Sequence, residues 1–179
     1  MAAPQVPIDV DPATGIWQTD GLPMIYLPRH FMVNMQKGIE AAIGAEAYRT
    51  MIYGSSDLSA VQWCRQEART HGLTPVETFR HYLRRMSQRG HGLPEITALD
   101  EAAGTASVTV RHSAYALGYG SQAGRRVCYV FEGSFAGGLR YVMEAAGRMG
   151  EVVCREVACM AEGHPECRFE LHCEAVAST

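Results

Sequence analysis

Cysteine and glutamate residues are concentrated near the C-terminal end of the chain. Cys159 and Cys167 flank a short stretch with glycine and proline, and the residues on both sides read as strands, 151–160 and 166–174. A β-hairpin of this kind brings two thiolates together at its turn, where they can bind one tetrahedral ion. The spacing therefore predicts a zinc site, with Glu156 as a further ligand and another ligand from elsewhere in the chain.

The whole-chain composition narrows the classes of function. With 179 residues and 47% hydrophobic residues, the chain has the size and apolar content of one domain with a real core. A net charge of −3, with Lys37 the only lysine, argues against nucleic-acid binding. No apolar run reaches the ~20 residues of a membrane span, so we expect no membrane association and a cytoplasmic location. Without an export signal, the six cysteines are expected to be reduced.

The N-terminal half is predicted to be helical after a short arm. Residues 1–15 lack periodicity and predict a flexible arm, and residues 16–175 are expected to form a single domain. Apolar spacing and capping residues predict three helices, over 28–44, about 57–70, and 75–89. The outward side of the third predicted helix carries four arginines, which predict a solvated basic face or a docking surface for an acidic partner: Arg80, Arg84, Arg85 and Arg89.

The second half changes from helical to extended patterns. Strands are predicted over 96–99 and 106–116, and a long helix over 124–146. Three glycines inside that helix indicate that another backbone, or a bound group, comes close to it: Gly133, Gly137 and Gly138. This order predicts an α+β fold, with N-terminal helices packed on an antiparallel sheet, one long helix, and a zinc-bearing C-terminal β-hairpin.

Aromatic residues and one histidine could line a cavity between the N-terminal helices and the sheet. Ordinary packing in the core is the alternative for each of them. The candidate ligand-pocket residues are Phe79, Tyr82, His112, Tyr115, Phe131 and Phe135.

Two linked motifs carry a resemblance to a known family: Cys128-x4-Gly133-x3-Gly137, then Arg155-Glu156-x2-Cys159-x3-Gly163-His164-x2-Cys167. Together they resemble the 4-vinyl reductase domain family, whose ligand-binding fold is shared with sensory domains of phenol- and xylene-responsive transcription activators. In those sensors a cysteine at the head of a helix, a glutamate and two hairpin cysteines hold one structural zinc. The resemblance implies four ligands here, Cys128, Glu156, Cys159 and Cys167. Cys154 and His164 are the substitutes if Cys128 does not reach the hairpin.

Two stretches of the N-terminal half, Trp17-Gln-Thr-Asp-Gly-Leu-Pro and Ser87-Gln-Arg-Gly-His-Gly, resemble an uncharacterised bacterial subfamily linked to dimethylglycine and betaine catabolism. The two resemblances imply a non-catalytic, homodimeric domain that binds an apolar or aromatic small molecule and contains a structural zinc. The alternative is an accessory subunit of an oxidoreductase (demethylase) complex acting on N-methylated glycines and betaines. A vinyl reductase is disfavoured, because the chain has no dinucleotide or flavin fingerprint and no matched acid and base.

Overall fold

A small sheet precedes the helices. The computed structural model describes residues 6–121 and 123–175, so residues 1–5 of the predicted arm lie outside the described residues. Strands β1 (Asp9–Val10), β2 (Trp17–Thr19) and β3 (Leu22–Met24) pair antiparallel in that order. Asp20 and Gly21 form the turn between β2 and β3 with φ values of 54° and 75°, a conformation that aspartate and glycine tolerate well.

Three helices follow: α1 (Arg29–Ile43), α2 (Ala45–His71) and α3 (Pro75–Gln88). The first and third match their predicted ranges, and Thr74 and Glu77 form the predicted capping box at the start of α3. The predicted start of the second helix is wrong, because α2 begins at Ala45 and continues through the residues expected to cap it. Asp57 does not cap; its carboxylate pairs with Arg140, 2.6 Å away, from the middle of α2.

The side of α1 that carries Phe31 and Met35, apolar residues four positions apart, is largely exposed. Phe31 is 49% exposed and Met35 is 38% exposed, whereas Val33 and Gln36 are buried. The amide of Gln36 explains this orientation, because its Nε2 donates to the backbone carbonyl of Val127 at 2.9 Å. A polar residue with a specific partner therefore determines which side of α1 faces the protein.

The main sheet has four antiparallel strands: β4 (Leu93–Asp100), β5 (Thr105–Arg111), β6 (Gly150–Ala158) and β7 (Cys167–Ala175), in the order β4-β5-β7-β6. The predicted C-terminal hairpin is therefore present as β6 and β7. The predicted strand 106–116 is too long, because His112 has a φ of 55° and a short helix α4 (Ala114–Tyr119) follows. Ser113 caps α4, its Oγ accepting from the backbone N–H of Ala116 at 3.2 Å.

Helix α5 (Tyr129–Ala145) lies between α2 and the sheet, in contact with α2, α3, β6 and β7. A methyl group at Gly133 or Gly137 would collide with the backbone carbonyl oxygens of Tyr53 and Asp57 in α2. The close approach predicted from these glycines is confirmed, and the neighbour is a backbone. Helix α5 begins at Tyr129 rather than at the predicted residue 124, with Cys128 as its N-cap residue.

The interpretation of the α3 arginines as one solvated face is wrong. Arg85 is 8% exposed, and its guanidinium pairs with Asp20 at 2.7 Å. Arg89 lies over the ring of Trp63 at 5.2 Å. The reason is that the β2–β3 turn and α2 pack on this side of α3 and supply a carboxylate and an aromatic ring; Arg80 and Arg84 remain exposed.

Core packing centres on aromatic rings of α5 and β7. The rings of Phe131 and Phe135 stack at 5.5 Å, and both meet the ring of Phe169 edge-on. Across residues 6–121 and 123–175, no helix combines the length and the apolar content that crossing a bilayer requires.

Candidate metal centre

Four potential metal ligands meet at one end of the β6–β7 hairpin, where it adjoins the head of α5. Their ligand atoms all lie within 4.8 Å of one another. We call this group the Cys3Glu cluster: Cys128, Glu156, Cys159 and Cys167. The structure thus brings together the four residues that the family resemblance implied.

Local structure explains how the cluster forms. Cys128 is held at the N-cap of α5, where its backbone N–H donates to Glu156 Oε2 at 3.2 Å. Cys159 follows the last residue of β6, and Cys167 is the first residue of β7. The connection between them makes a short 3-10 helix, Met160–Glu162, and closes at Gly163 with a φ of 95°. That tight connection holds the two thiols side by side.

The sulfur positions have the geometry of a tetrahedral zinc site. Cys128 Sγ lies 4.0 Å from Cys159 Sγ and 3.7 Å from Cys167 Sγ, and the two hairpin sulfurs are 3.8 Å apart. Three thiolates at a Zn–S distance of ~2.3 Å and tetrahedral angles would be ~3.8 Å apart. The same separations are far too long for a disulfide, and all three cysteines are free.

The cluster is buried. The three cysteines have no exposed surface and Glu156 is 1% exposed. Glu156 Oε1 has no hydrogen-bond partner among the described residues, and an unsatisfied buried carboxylate oxygen is costly unless a cation or a proton compensates it. Burial raises the pKa of Glu156 to about 9 and raises the pKa of Cys128. The donor set fits zinc, which prefers thiolates and completes its shell with a carboxylate.

Further groups hold the cluster in place. Glu132 Oε1 accepts from the backbone N–H of Glu156 at 2.8 Å, and Arg49 of α2 holds both oxygens of Glu132, at 2.8 and 2.7 Å. Ser113 Oγ lies 3.2 Å from Cys128 Sγ. None of these supporting groups is predicted from the sequence. The one available signal was that Glu132 follows Cys128 by four residues, which places both on the same side of a helix.

The two substitute ligands lie outside the cluster. Cys154 is fully buried on β6, and its backbone N–H donates to the Tyr53 hydroxyl at 3.0 Å. His164 is exposed in the connection between the hairpin strands. Neither belongs to the group of converging ligand atoms.

Five of the six candidate ligand-pocket residues are buried in the core, and His112 is not. The buried five are Phe79, Tyr82, Tyr115, Phe131 and Phe135. His112 is exposed beyond the end of β5. A different histidine, His91, lies edge-on to the Phe131 ring at 6.4 Å, and burial lowers its pKa to about 4. The two glycines that flank His91 were the sequence signal for a constrained ring at this position.

The chain has relatives by sequence and by structure. Residues 2–97 match the family described as Domain of unknown function (DUF5943), so the match lies outside the Cys3Glu cluster. A search of curated proteins finds no match.

Three solved structures illustrate the likeness of fold. The phenol-responsive sensory domain of the transcription activator PoxR, solved with phenol, is 19% identical; the alignment covers 93% of this chain and 84% of that domain, with a TM-score of 0.77. A vinyl-4-reductase family protein from Methanocaldococcus jannaschii is 14% identical, covers 84% of each chain and gives a TM-score of 0.55. Trafficking protein particle complex subunit 3 from Naegleria fowleri, covalently bound to palmitic acid, is 10% identical over 84% of this chain and 98% of that one, with a TM-score of 0.54. These likenesses establish the fold.

Proposed function

The chain belongs to the family described as Domain of unknown function (DUF5943), and for this member we propose a non-catalytic domain that binds an apolar or aromatic small molecule and contains a structural zinc. One observation carries the proposal: the fold of nearly the whole chain is that of a phenol-responsive sensory domain solved with phenol. The family description names no function, so the proposed metal and the proposed ligand rest on the chemistry of the described residues.

The proposed zinc has a structural role. Three thiolates and one carboxylate fill a tetrahedral shell, which leaves no position for a water or a substrate. Arg49, Glu132 and the backbone of Glu156 connect α2, α5 and β6 beside the ion. Zinc at this point would therefore tie the hairpin to the helix that runs through the core.

The proposed ligand site lies where α5 faces β5 and α4. Tyr115 meets the ring of Phe131 edge-on at 5.5 Å, and His91 meets the same ring from another direction. Because burial keeps the His91 imidazole neutral at pH 7, it can donate or accept one hydrogen bond. Aromatic rings beside the neutral polar groups of His91 and Tyr115 match the chemistry of a phenol, which would enter by separating rings that pack on one another here.

Ligand binding can be measured as a rise in melting temperature with phenol, cresols and, for comparison, dimethylglycine and betaine. We expect phenols to stabilise the protein. His91→Leu should raise the phenol concentration that is needed for the same rise in melting temperature at least about tenfold, because leucine can neither donate nor accept a hydrogen bond. His112→Leu is the matched control and should leave that concentration unchanged. If no phenol stabilises the protein at any concentration that phenol itself tolerates, the proposal is wrong.

A second candidate function is an accessory subunit of an oxidoreductase (demethylase) complex. The observation that favours an interaction role is an exposed apolar segment between β3 and α1, where Ile25 is 80% exposed and Tyr26 is 81% exposed. Phe31 and Met35 continue it one helical turn apart on α1. Exposed apolar surface of this kind marks interfaces, and the two proposed occupants are a second copy of this chain and an oxidoreductase.

Light scattering measures the mass of the purified protein and so distinguishes a homodimer from a monomer that binds an oxidoreductase. A dimer that becomes a monomer in the double variant Tyr26→Ser, Phe31→Ser supports the homodimer. A monomeric wild-type protein that co-purifies from its source with an oxidoreductase supports the accessory subunit instead. Arg80→Ser, an exposed change on α3, is the control for surface substitution and should leave the mass unchanged.

A further inference from the structure

A second group of metal-ligand side chains lies away from the Cys3Glu cluster, where the β2–β3 turn packs on α2 and α3. Two carboxylates and two imidazoles present ligand atoms that all lie within 4.8 Å of one another. We call it the imidazole–carboxylate cluster: Asp20, Glu67, His71 and His81. The sequence analysis assigned no role to these residues, since they come from three separate elements.

The distances within this cluster are those of one coordination shell. Glu67 Oε2 lies 2.8 Å from His81 Nε2 and 3.3 Å from His71 Nε2. Asp20 Oδ1 lies 3.5 Å from His71 Nε2. Nitrogen and oxygen ligands at ~2.1 Å from a metal are ~3.0 Å apart in an octahedral shell and ~3.4 Å apart in a tetrahedral one.

One carboxylate oxygen of the cluster has no partner among the described residues. Glu67 has no exposed surface, and its Oε1 has no hydrogen-bond partner among the described residues. Leaving a buried carboxylate oxygen without a hydrogen-bond donor or a cation is energetically unfavourable. A cation that both oxygens of Glu67 bind, together with His71 and His81, would satisfy Oε1.

We propose that the imidazole–carboxylate cluster binds one divalent first-row transition-metal ion, such as Mn²⁺, Fe²⁺, Co²⁺ or Zn²⁺. The donor set contains no sulfur, so it suits harder ions than the Cys3Glu cluster does. This proposal is independent of the small-molecule function. The ion would join the N-terminal turn to α2 and α3, as the sulfur site joins the hairpin to α5.

The neighbouring arginines set the conditions for binding. Arg84 Nη2 lies 2.5 Å from His81 Nδ1, so in the metal-free chain Nδ1 accepts a hydrogen bond and Nε2 carries the proton that Glu67 accepts. Coordination through Nε2 moves the proton to Nδ1, and Arg84 must then leave. Its side chain is exposed and free to do so. Arg85 instead holds Asp20 Oδ2 at 2.7 Å, which leaves Oδ1 directed to His71.

Manganese is the probe that separates the two sites, because thiolates bind it weakly. Full-length protein loaded with one equivalent of Zn²⁺ per chain, which the three thiolates of the Cys3Glu cluster take first, is titrated with Mn²⁺, and free Mn²⁺ is followed by its electron paramagnetic resonance signal. We expect one saturable Mn²⁺ per chain. Glu67→Gln, which keeps the side-chain volume, should weaken binding at least about tenfold.

A gain-of-affinity variant protects the test against simple loss of fold. Arg84→Ala removes a positive charge and the donor that competes for Nδ1, so it should bind Mn²⁺ about threefold more tightly or better. Arg80→Ala, on the exposed side of the same helix, is the control and should match the wild type. Absence of saturable Mn²⁺ binding would overturn the proposal, as would equal affinity in wild type, Glu67→Gln and Arg84→Ala, which would leave a hydrogen-bonded packing network as the role of the cluster.

Discussion

The carboxylate of Glu132 accepts a hydrogen bond from the backbone N–H of Glu156 at 2.8 Å, so a residue of α5 fixes the strand position of a metal-ligand candidate on β6. Arg49 of α2 holds the same carboxylate with two nitrogens. The helix pair and the hairpin are therefore connected at the point where we propose zinc. The stability of the α2–α5 pair and the affinity for metal should depend on each other.

Loss of the Glu132 charge should weaken metal binding. Glu132→Gln keeps an acceptor near Glu156 but removes the ion pair that orients it, and such supporting groups contribute tenfold or more to metal affinity. We expect about tenfold weaker zinc binding in competition with a chromophoric chelator. Glu46→Gln is the matched control, because the Glu46 side chain is 83% exposed and lies 3.9 Å from the Arg49 guanidinium, a longer contact than that of Glu132. Equal affinity of Glu132→Gln and wild type would show that Glu132 does not support the site.

Chelation of the metal should destabilise the protein. A closed thiolate site contributes binding energy only to the folded state, so we expect stripped protein to lose about 3 kcal/mol or more, which is ~10 °C in melting temperature for a chain of this size. Calorimetry with and without a strong chelator measures the shift. In buffer without added metal, so that the imidazole–carboxylate cluster is empty, Cys159→Ser should start at the lower temperature and show no chelator response.

Cys173→Ser is the control for thiol substitution. Cys173 is a free, partly buried cysteine on β7 outside the Cys3Glu cluster, so this variant should respond to chelator as the wild type does. A chelator effect that persists in Cys159→Ser would place the stabilising metal elsewhere.

Alanine substitutions at two glycines should have opposite effects. At Gly137 a methyl group would collide with the backbone carbonyl of Asp57, and overpacking against a rigid backbone should cost ~2 kcal/mol or more. Gly38 lies inside α1 with open space around its Cα, so alanine there should stabilise by up to ~1 kcal/mol through helix propensity. Urea unfolding of both variants measures whether the free energy of unfolding falls for Gly137→Ala and rises for Gly38→Ala. Equal effects would contradict the packing of α5 on α2.

Stability should fall on acidification through His91. Because burial lowers the pKa of His91 from 6.5 to about 4, the folded protein binds fewer protons than the unfolded chain between these values. Its contribution to stability is complete above pH ~6.5 and is lost as the pH falls towards ~4, by up to ~3 kcal/mol. His91→Asn should remove that part of the pH dependence. His164→Asn, at an exposed position, is the control. If the difference in stability between wild type and His91→Asn does not change between pH 4 and 6.5, the pKa of His91 is not lowered.

Local patterns predicted those features that local chemistry determines. Thr74 and Glu77 correctly predicted the start of α3, and the spacing from Glu156 to Cys167 correctly predicted the hairpin. The glycines of α5 correctly indicated a close backbone. The start of α2 was not predicted, because Asp57 pairs with Arg140 from the middle of the helix and does not act as a cap.

Features that depend on distant partners were not predictable. The sequence predicts a solvated Arg85, but the β2–β3 turn places Asp20 against its guanidinium. Gln36 determines which side of α1 faces the protein by donating to the backbone carbonyl of Val127, which lies much later in the chain. His112 appeared suited to a cavity from strand alternation, but β5 ends before it. The imidazole–carboxylate cluster combines residues from a turn and two helices, a combination that no linear spacing indicates.

Anomalous diffraction at the zinc edge, on crystals of untagged protein purified without added metal, tests whether the Cys3Glu cluster holds zinc. We predict one strong peak ~2.3 Å from the Sγ atoms of Cys128, Cys159 and Cys167, with a Glu156 oxygen as the fourth ligand. Three reduced thiols around a position with no anomalous peak would contradict it.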